Sequence, residues 1–315
     1  MSIYDEFLQA TFRSDCEVPH FWGTAERDAV RFAWASQRPL LVRGEPGTGK
    51  SQLAAACAEA FGVKLFKLFV RPRMEATEPL YTFDAVRRLA EAQVLTGALV
   101  GHCFVDDQAR SAHVKKTLKP QRFQVRGELW RAMVHRAPPD KSTEWPRSVL
   151  LLDEIDKADA DVPHALLDVF GERSFQPRFG PQVRCEAHWP LIVITSNGER
   201  ELPPAFIRRC AVLDLAPADA DEPQFVAWLI ERAERHHELR DWLKCFPEAA
   251  TDAAAMVWRD REAFKHRGKV GLAEYLDLLK ALVRVCGRDG AKVKNAMDAM
   301  RPYALQKFAH SGSLL

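Results

Sequence analysis

Residues 44–51 read Gly44-Glu45-Pro46-Gly47-Thr48-Gly49-Lys50-Ser51, one residue after the apolar run Leu40-Leu41-Val42. The spacing is G-x-x-x-x-G-K-[ST], a loop that wraps phosphate with its backbone. Glycines let the chain curl so that successive N–H groups point at one anion. A helix starting at the loop adds the positive end of its dipole. Lys50 then reaches the outer phosphates, and Ser51 offers its hydroxyl to Mg²⁺, so a nucleotide's phosphates with Mg²⁺ are the expected ligand. A dinucleotide fingerprint fits less well: after Gly47-Thr48-Gly49 it needs glycine at 52, where the chain has Gln52.

Two further segments carry groups that suit hydrolysis. Ser148-Val149-Leu150-Leu151-Leu152 ends in Asp153-Glu154-Ile155-Asp156. At the tip of a strand beside bound nucleotide, Asp153 would hold Mg²⁺ and Glu154 would act as general base on water. Leu191-Ile192-Val193-Ile194-Thr195-Ser196 runs into Asn197, whose amide can orient that water or bond a phosphate oxygen. Further on, Pro203-Pro204 would start a short helix ending in Arg208 and Arg209. At a subunit edge one of them could neutralise transition-state charge in a neighbour's site; otherwise they are ordinary surface arginines.

These residues need a frame. The apolar runs at 40–42, 148–152 and 191–196 are short and unbroken, as in central parallel strands. The run after the phosphate loop, Leu53, Ala56, Cys57 and Ala60, has helical spacing and stops at Gly62. Strands and helices alternate to about residue 216, which predicts a parallel sheet with helices on both faces. Beyond it the pattern is helical only. Phe225, Trp228 and Leu229 follow Asp221 as an N-cap, and Leu272, Tyr275, Leu276, Leu279, Leu282 and Val283 form a second stripe.

With those residues in place, the chain resembles an AAA+ ATPase of the MoxR type over about residues 18–285. Gly44–Ser51 is similar to its Walker A loop, Leu150–Asp156 to Walker B, and Ile194–Asn197 to sensor 1. Arg208-Arg209-Cys210 is similar to its arginine-finger segment, and the match favours Arg209 over Arg208. Arg38-Pro39-Leu40-Leu41, Tyr81-Thr82-Phe83-Asp84-Ala85 and Gly127-Glu128-Leu129-Trp130-Arg131-Ala132 extend the likeness. The resemblance implies an α/β P-loop NTPase core followed by an all-helical lid domain. Its boundaries would be a lead-in (1–17), the nucleotide-binding domain (18–216, with an insertion at about 96–126), the lid (217–286), and a C-terminal helix and tail (287–315).

The resemblance also implies a chaperone-like activity. A homo-oligomeric, hexameric ring would bind ATP with Mg²⁺, hydrolyse it between subunits and remodel or activate a partner protein, with one bearing a von Willebrand factor A domain as the leading candidate. The alternative is a nucleotide-gated assembly scaffold with little turnover. A small-molecule kinase fits less well, because Glu154 beside Asp153 suits water activation. Relatives place a basic sensor 2 residue at the start of a lid helix. Here Lys269 or Arg267 could serve, and no motif decides between them or requires either. His20-Phe21-Trp22-Gly23 lies where relatives hold adenine; Phe21 and Trp22 could equally anchor the helix bearing Val30, Ala33 and Trp34.

Composition restricts the setting. The 315 residues suffice for one large or two smaller domains. Charged residues make up 28% and the net charge is +2, so neither nucleic acid nor membrane is expected as a partner. No signal pattern or membrane-span run is evident, and a cytoplasmic setting is expected. Seven scattered cysteines without C-x-x-C read as reduced core residues. Cys185 and His188 have a C-x-x-H spacing with no second pair to complete a zinc site. The basic segment with Lys115, Lys116, Lys119, Arg122 and Arg126 is either a contact for a partner or a solvated loop.

Overall fold

Val149 to Leu152 and Leu191 to Ile194 bury every side chain, which a strand does only inside a sheet covered on both faces. The computed structural model, which describes residues 22–99, 107–135, 146–185, 189–215, 221–263 and 270–306, places both in such a sheet. Helix α1 (Thr24–Ser36) leads into β1 (Leu40–Arg43), and the phosphate-loop sequence joins β1 to α2 (Lys50–Phe61). Then come β2 (Lys64–Phe69), β3 (Tyr81–Phe83), α3 (Ala85–Leu99), α4 (Asp107–Thr117), β4 (Gln124–Arg126) and α5 (Glu128–Val134). The core closes with β5 (Ser148–Asp153), α6 (Asp161–Glu172), β6 (Ser174–Phe175), β7 (Val183–Arg184), β8 (Leu191–Ser196), α7 (Pro204–Ile207) and β9 (Ala211–Asp214).

The sheet runs β2-β5-β8-β1-β9, and every pairing is parallel. The central strands β5 and β8 are buried throughout and β1 is buried up to Arg43, whereas in the outer strands β9 alternates buried and exposed positions and β2 buries only Phe66. One face packs Leu129 and Met133 of α5, Leu166 and Phe170 of α6, and Phe206 of α7. The other packs Val30 and Ala33 of α1 with Leu53, Ala54 and Cys57 of α2. Trp22 packs against this second cluster as a core anchor would, while Phe21 lies outside the described residues. From β1 the chain crosses to β2, over the positions of β8 and β5; from β8 it crosses over β1 to β9. Such a reversal opens a crevice at the carboxyl ends of the strands. Register puts Val42 beside Thr195 and Leu152 beside Ile194, so the tips of β1, β8 and β5 share that crevice.

The segment expected to insert at about 96–126 is part of a larger excursion. Strand β3 pairs antiparallel with β4, and α3 and α4 lie between them in sequence. Gln124 Nε2 donates to Phe179 O, and Phe179 N–H donates to Gln124 Oε1, both at 3.1 Å, tying this hairpin to the β6–β7 hairpin. Tyr81 stacks on Phe175, and Trp130 meets Phe175 edge-on.

Among the described residues, five helices follow: α8 (Glu222–Glu234), α9 (His237–Cys245), α10 (Pro247–Ala263), α11 (Leu272–Cys286) and α12 (Gly290–Ala304). Asp221 caps α8 by accepting the Gln224 N–H at 3.0 Å. Phe225, Leu229, Tyr275, Leu279 and Leu282 build a separate core, to which α12 adds Val293 and Met297. Asp260 of α10 is buried and takes both Nε and Nη2 of Arg301 on α12. Cysteines depart partly from expectation: Cys57, Cys210 and Cys286 are buried, but Cys245 is exposed because it ends α9 on its outer side. No helix among the described residues is long and apolar enough to cross a membrane.

Candidate functional site

The loop between β1 and α2 turns on two glycines. Gly47 and Gly49 have φ of +80° and +90°, a region that residues with a Cβ adopt only under strain. Gly47 also faces the helical domain, since an added Cβ would lie 2.6 Å from Cβ of Ala273 on α11. Lys50 is buried and donates to Gly44 O at 2.8 Å and Glu45 O at 2.7 Å. Burial holds its pKa below the ordinary lysine value, against the pull of Asp156, Asp153, Glu154 and Glu45.

Strand tips supply the floor. Ser51 Oγ and Thr195 Oγ1 both donate to Asp153 Oδ1 at 2.6 Å. Glu154 sits in the left-handed region at φ +60°, a conformation that costs about 1–3 kcal/mol and persists where surrounding bonds enforce it. One such bond is its N–H to Thr195 Oγ1 at 2.8 Å. The Glu154 carboxylate is held at both oxygens: Asn197 Nδ2 donates to Oε1 at 3.1 Å and Lys157 Nζ to Oε2 at 2.6 Å. That contact raises the Lys157 pKa. Asp156 accepts the N–H groups of Asn197 and Glu199 at 3.0 and 2.9 Å, fixing the turn after β8. Pro46, Gly47, Gly49, Lys50, Ser51, Gln52, Asp153, Glu154, Thr195 and Asn197 therefore line a single cavity of about 340 Å³.

Other expected residues lie outside that cavity. Arg208 and Arg209 follow α7, are exposed, and do not line it. Arg209 Nη1 donates to Leu167 O of α6 at 2.8 Å, while the Arg208 side chain has no partner among the described residues. Lys269 and Arg267 lie outside the described residues, as does His188, the possible partner of Cys185. No cluster of His, Cys, Asp and Glu suited to a metal occurs among the described residues.

One contact was absent from the sequence reading. Arg261, near the end of α10, reaches back to the phosphate loop and grips both carboxylate oxygens of Glu45, with Nη1 to Oε2 at 2.7 Å and Nη2 to Oε1. It also donates to Val270 O at 3.1 Å and lies 5.0 Å over the Phe225 ring. No spacing rule links positions 45 and 261, so only the folded chain reveals the pair.

The phosphate loop, acidic strand tip and polar third tip are those of a nucleotide-hydrolysing α/β fold. Residues 39–210, more than half of the chain, match the AAA domain family, dynein-related subfamily. The chain belongs to that family. Membership carries nucleotide binding and ATP-dependent activity for this AAA domain. No curated protein matches it. Two mutant forms of RuvB from Thermotoga maritima are among the similar solved structures. One is 14% identical, covering 89% of this chain and 71% of its own, with a TM-score of 0.44. The other is also 14% identical, covering 94% and 74%, with a TM-score of 0.43.

Proposed function

We propose that this AAA domain protein is a ring-forming ATPase of the MoxR type, with a hexamer as the expected ring. In this reading it hydrolyses ATP between subunits and uses motion of its helical region to remodel or activate a partner protein. A partner bearing a von Willebrand factor A domain is the leading candidate. The helical lid would begin after β9 and include α8 to α11. The observation that carries the reading is the split between a cavity complete in phosphate, metal and water groups and two arginines lying outside it.

Each residue then has a role. Gly44 to Gly49 wrap the phosphates with backbone N–H groups, and Lys50 turns its ammonium from the Gly44 and Glu45 carbonyls to the outer phosphates. Ser51 and Asp153, whose oxygens already meet at 2.6 Å, would hold Mg²⁺. A hydroxyl and a carboxylate are the donor types that this ion takes, and when bound it neutralises phosphate charge. Glu154 accepts the proton of the attacking water while Asn197 fixes that water. Arg209, or Arg208, supplies charge in a neighbour's cavity. Lys269 remains a candidate for the γ-phosphate contact from the lid, and Arg261 is a second one.

The scaffold alternative has one observation in its favour: Lys157 and Asn197 engage both Glu154 oxygens. Measured phosphate release separates the two readings. ATP affinity tests the site itself. Calorimetry should show ATP binding to the parent and none to Lys50→Ala, since no other group replaces a buried ammonium at that position. Near-parental affinity in the variant would remove the phosphate-loop assignment.

A further inference from the structure

A second cavity, of about 610 Å³, opens at the outer edge of β2, on the flank away from the phosphate loop. Its charge is one-sided. Lys64, Lys67, Arg126 and Arg131 line it, with Glu128 as its only carboxylate among the described residues. Glu128 is already taken by Arg131 Nη1 at 2.8 Å. Lys64, Lys67 and Arg126 have no carboxylate partner among the described residues. Lys64 and Arg126 instead rest over the rings of Phe66 and Trp130, at 4.9 and 5.2 Å, which leaves N–H groups free to donate. Burial, and then Lys64, hold the His135 pKa below its ordinary value, so His135 adds little charge near pH 7.

The wall of this cavity is a strand with one bonded edge. Val70 N–H donates to Asp153 O, so by alternation Phe66 and Leu68 also turn their backbone toward β5. Leu65, Lys67 and Phe69 turn theirs outward, where no described residue bonds them. Side chains alternate as well. Phe66 joins the cluster under α5, which puts Lys64 on that face beside Arg126. Leu65 packs toward α2, which puts Phe69, 66% exposed, on the opposite face.

We infer that β2 docks an extended acidic segment of a partner protein, which adds as a sixth strand. Its backbone would pair with Leu65, Lys67 and Phe69, and alternate carboxylates would meet Lys64 and Arg126. The intervening side chains would be apolar, matching Leu65 and Phe69. An open backbone edge favours peptide over nucleic acid, because nucleic acid offers no backbone ladder to pair with it. This deepens the partner-directed reading above, but it is a binding property that needs no ATP, so its failure and the failure of the ATPase reading are separable.

The test is fluorescence anisotropy of the full chain with a short labelled peptide alternating glutamate and valine. Saturable binding that weakens with added salt is expected. Replacing glutamate by glutamine, or N-methylating the peptide backbone at alternate residues, should each cut affinity about tenfold or more. The double variant Lys64→Glu with Arg126→Glu should lose at least as much while keeping parental ATP affinity, which reports an intact fold. Absence of saturable binding overturns the inference. Undiminished binding of the N-methylated peptide rules out strand addition. Tighter binding of a single-stranded DNA of equal charge would make this a nucleic-acid surface instead.

Discussion

The floor of the nucleotide cavity and the arginine edge after α7 are built in opposite ways. On the floor, side chains satisfy one another within the chain: Ser51 and Thr195 on Asp153, Asn197 and Lys157 on Glu154. At the edge, Arg209 spends one N–H on a carbonyl of its own α6, and Arg208 spends none. Satisfied buried groups fix geometry before a ligand arrives. An exposed guanidinium does nothing until something anionic is brought against it. The difference is the one a trans-acting arginine would need: positioning groups already satisfied within the chain, and a guanidinium left outside the cavity for contact with another.

The largest expected effect breaks the comparison at its open side. If an arginine acts in trans, Arg209→Ala should bind ATP yet lose turnover by about 10³–10⁵, the range for arginine fingers. Arg208→Ala is the control, and the larger of the two losses names the finger. Specific activity should also rise with protein concentration. Inactive Arg209→Ala and Lys50→Ala chains, once mixed, should regain some activity, because each supplies what the other lacks. A concentration-independent rate from a monomer confirmed by ultracentrifugation ends the trans model.

On the closed side, Glu154→Gln keeps the Asn197 contact but loses basicity. Turnover should fall by about 10²–10⁴ while ATP affinity stays near parental. Phosphate release at the parental rate would remove Glu154 as the base.

The same contrast governs what could be read from the sequence. The loop at residues 44–51, the apolar runs at 148–152 and 191–196, and the polar residues at their tips were legible as one cluster because local spacing alone sets a loop before a helix and polar ends on buried strands. The parallel sheet followed from the same runs. Glu154 in a left-handed conformation was not legible, since its φ is imposed by Thr195 from the neighbouring strand. Nor was the structural role of Asp156, which in the sequence only closes the acidic run at 153–156 and in the fold holds the backbone after β8. The insertion expected at about 96–126 takes in α4 but only the end of α3, because Val86, Leu89 and Val94 of α3 are exposed and leave no core-facing stripe to mark where the excursion begins. Charge pairs between the helical region and the core depend on the docking of distant elements, which spacing does not encode.

A smaller effect tests whether α12 belongs to the helical core. Asp260 is 2% exposed and both its oxygens take Arg301. Hydrogen bonding to Asp260 holds the Arg301 pKa up. Arg301→Ala leaves a buried carboxylate with only the Gln306 amide at 3.5 Å among the described residues, which costs up to about 3–5 kcal/mol where pairs of this kind are broken. Thermal unfolding should show the helical region melting earlier, and Asp260→Asn combined with Arg301→Ala should recover part of the loss. An unchanged melting profile would mean that α12 is held on that core by Val293 and Met297 without help from the ion pair.

The smallest expected effect concerns the neighbouring residue, where the pair crosses between regions. Arg261 grips Glu45 in the phosphate loop, so the helical region and the loop share one ion pair. Arg261→Ala should weaken ATP binding several-fold, through loss of a cation that faces the loop and of its packing on Phe225. Arg261→Lys should recover little, because an ammonium cannot grip both oxygens of Glu45. Glu45→Gln alone should change affinity less, since the loop backbone still wraps phosphate. The double variant decides between a shared contact and two separate ones. If the pair transmits lid position to the loop, the two substitutions should be non-additive in ATP affinity by about 0.5–3 kcal/mol, the range for residues in direct contact. Strict additivity would make Arg261 a packing residue of the helical core and leave the loop to act without it.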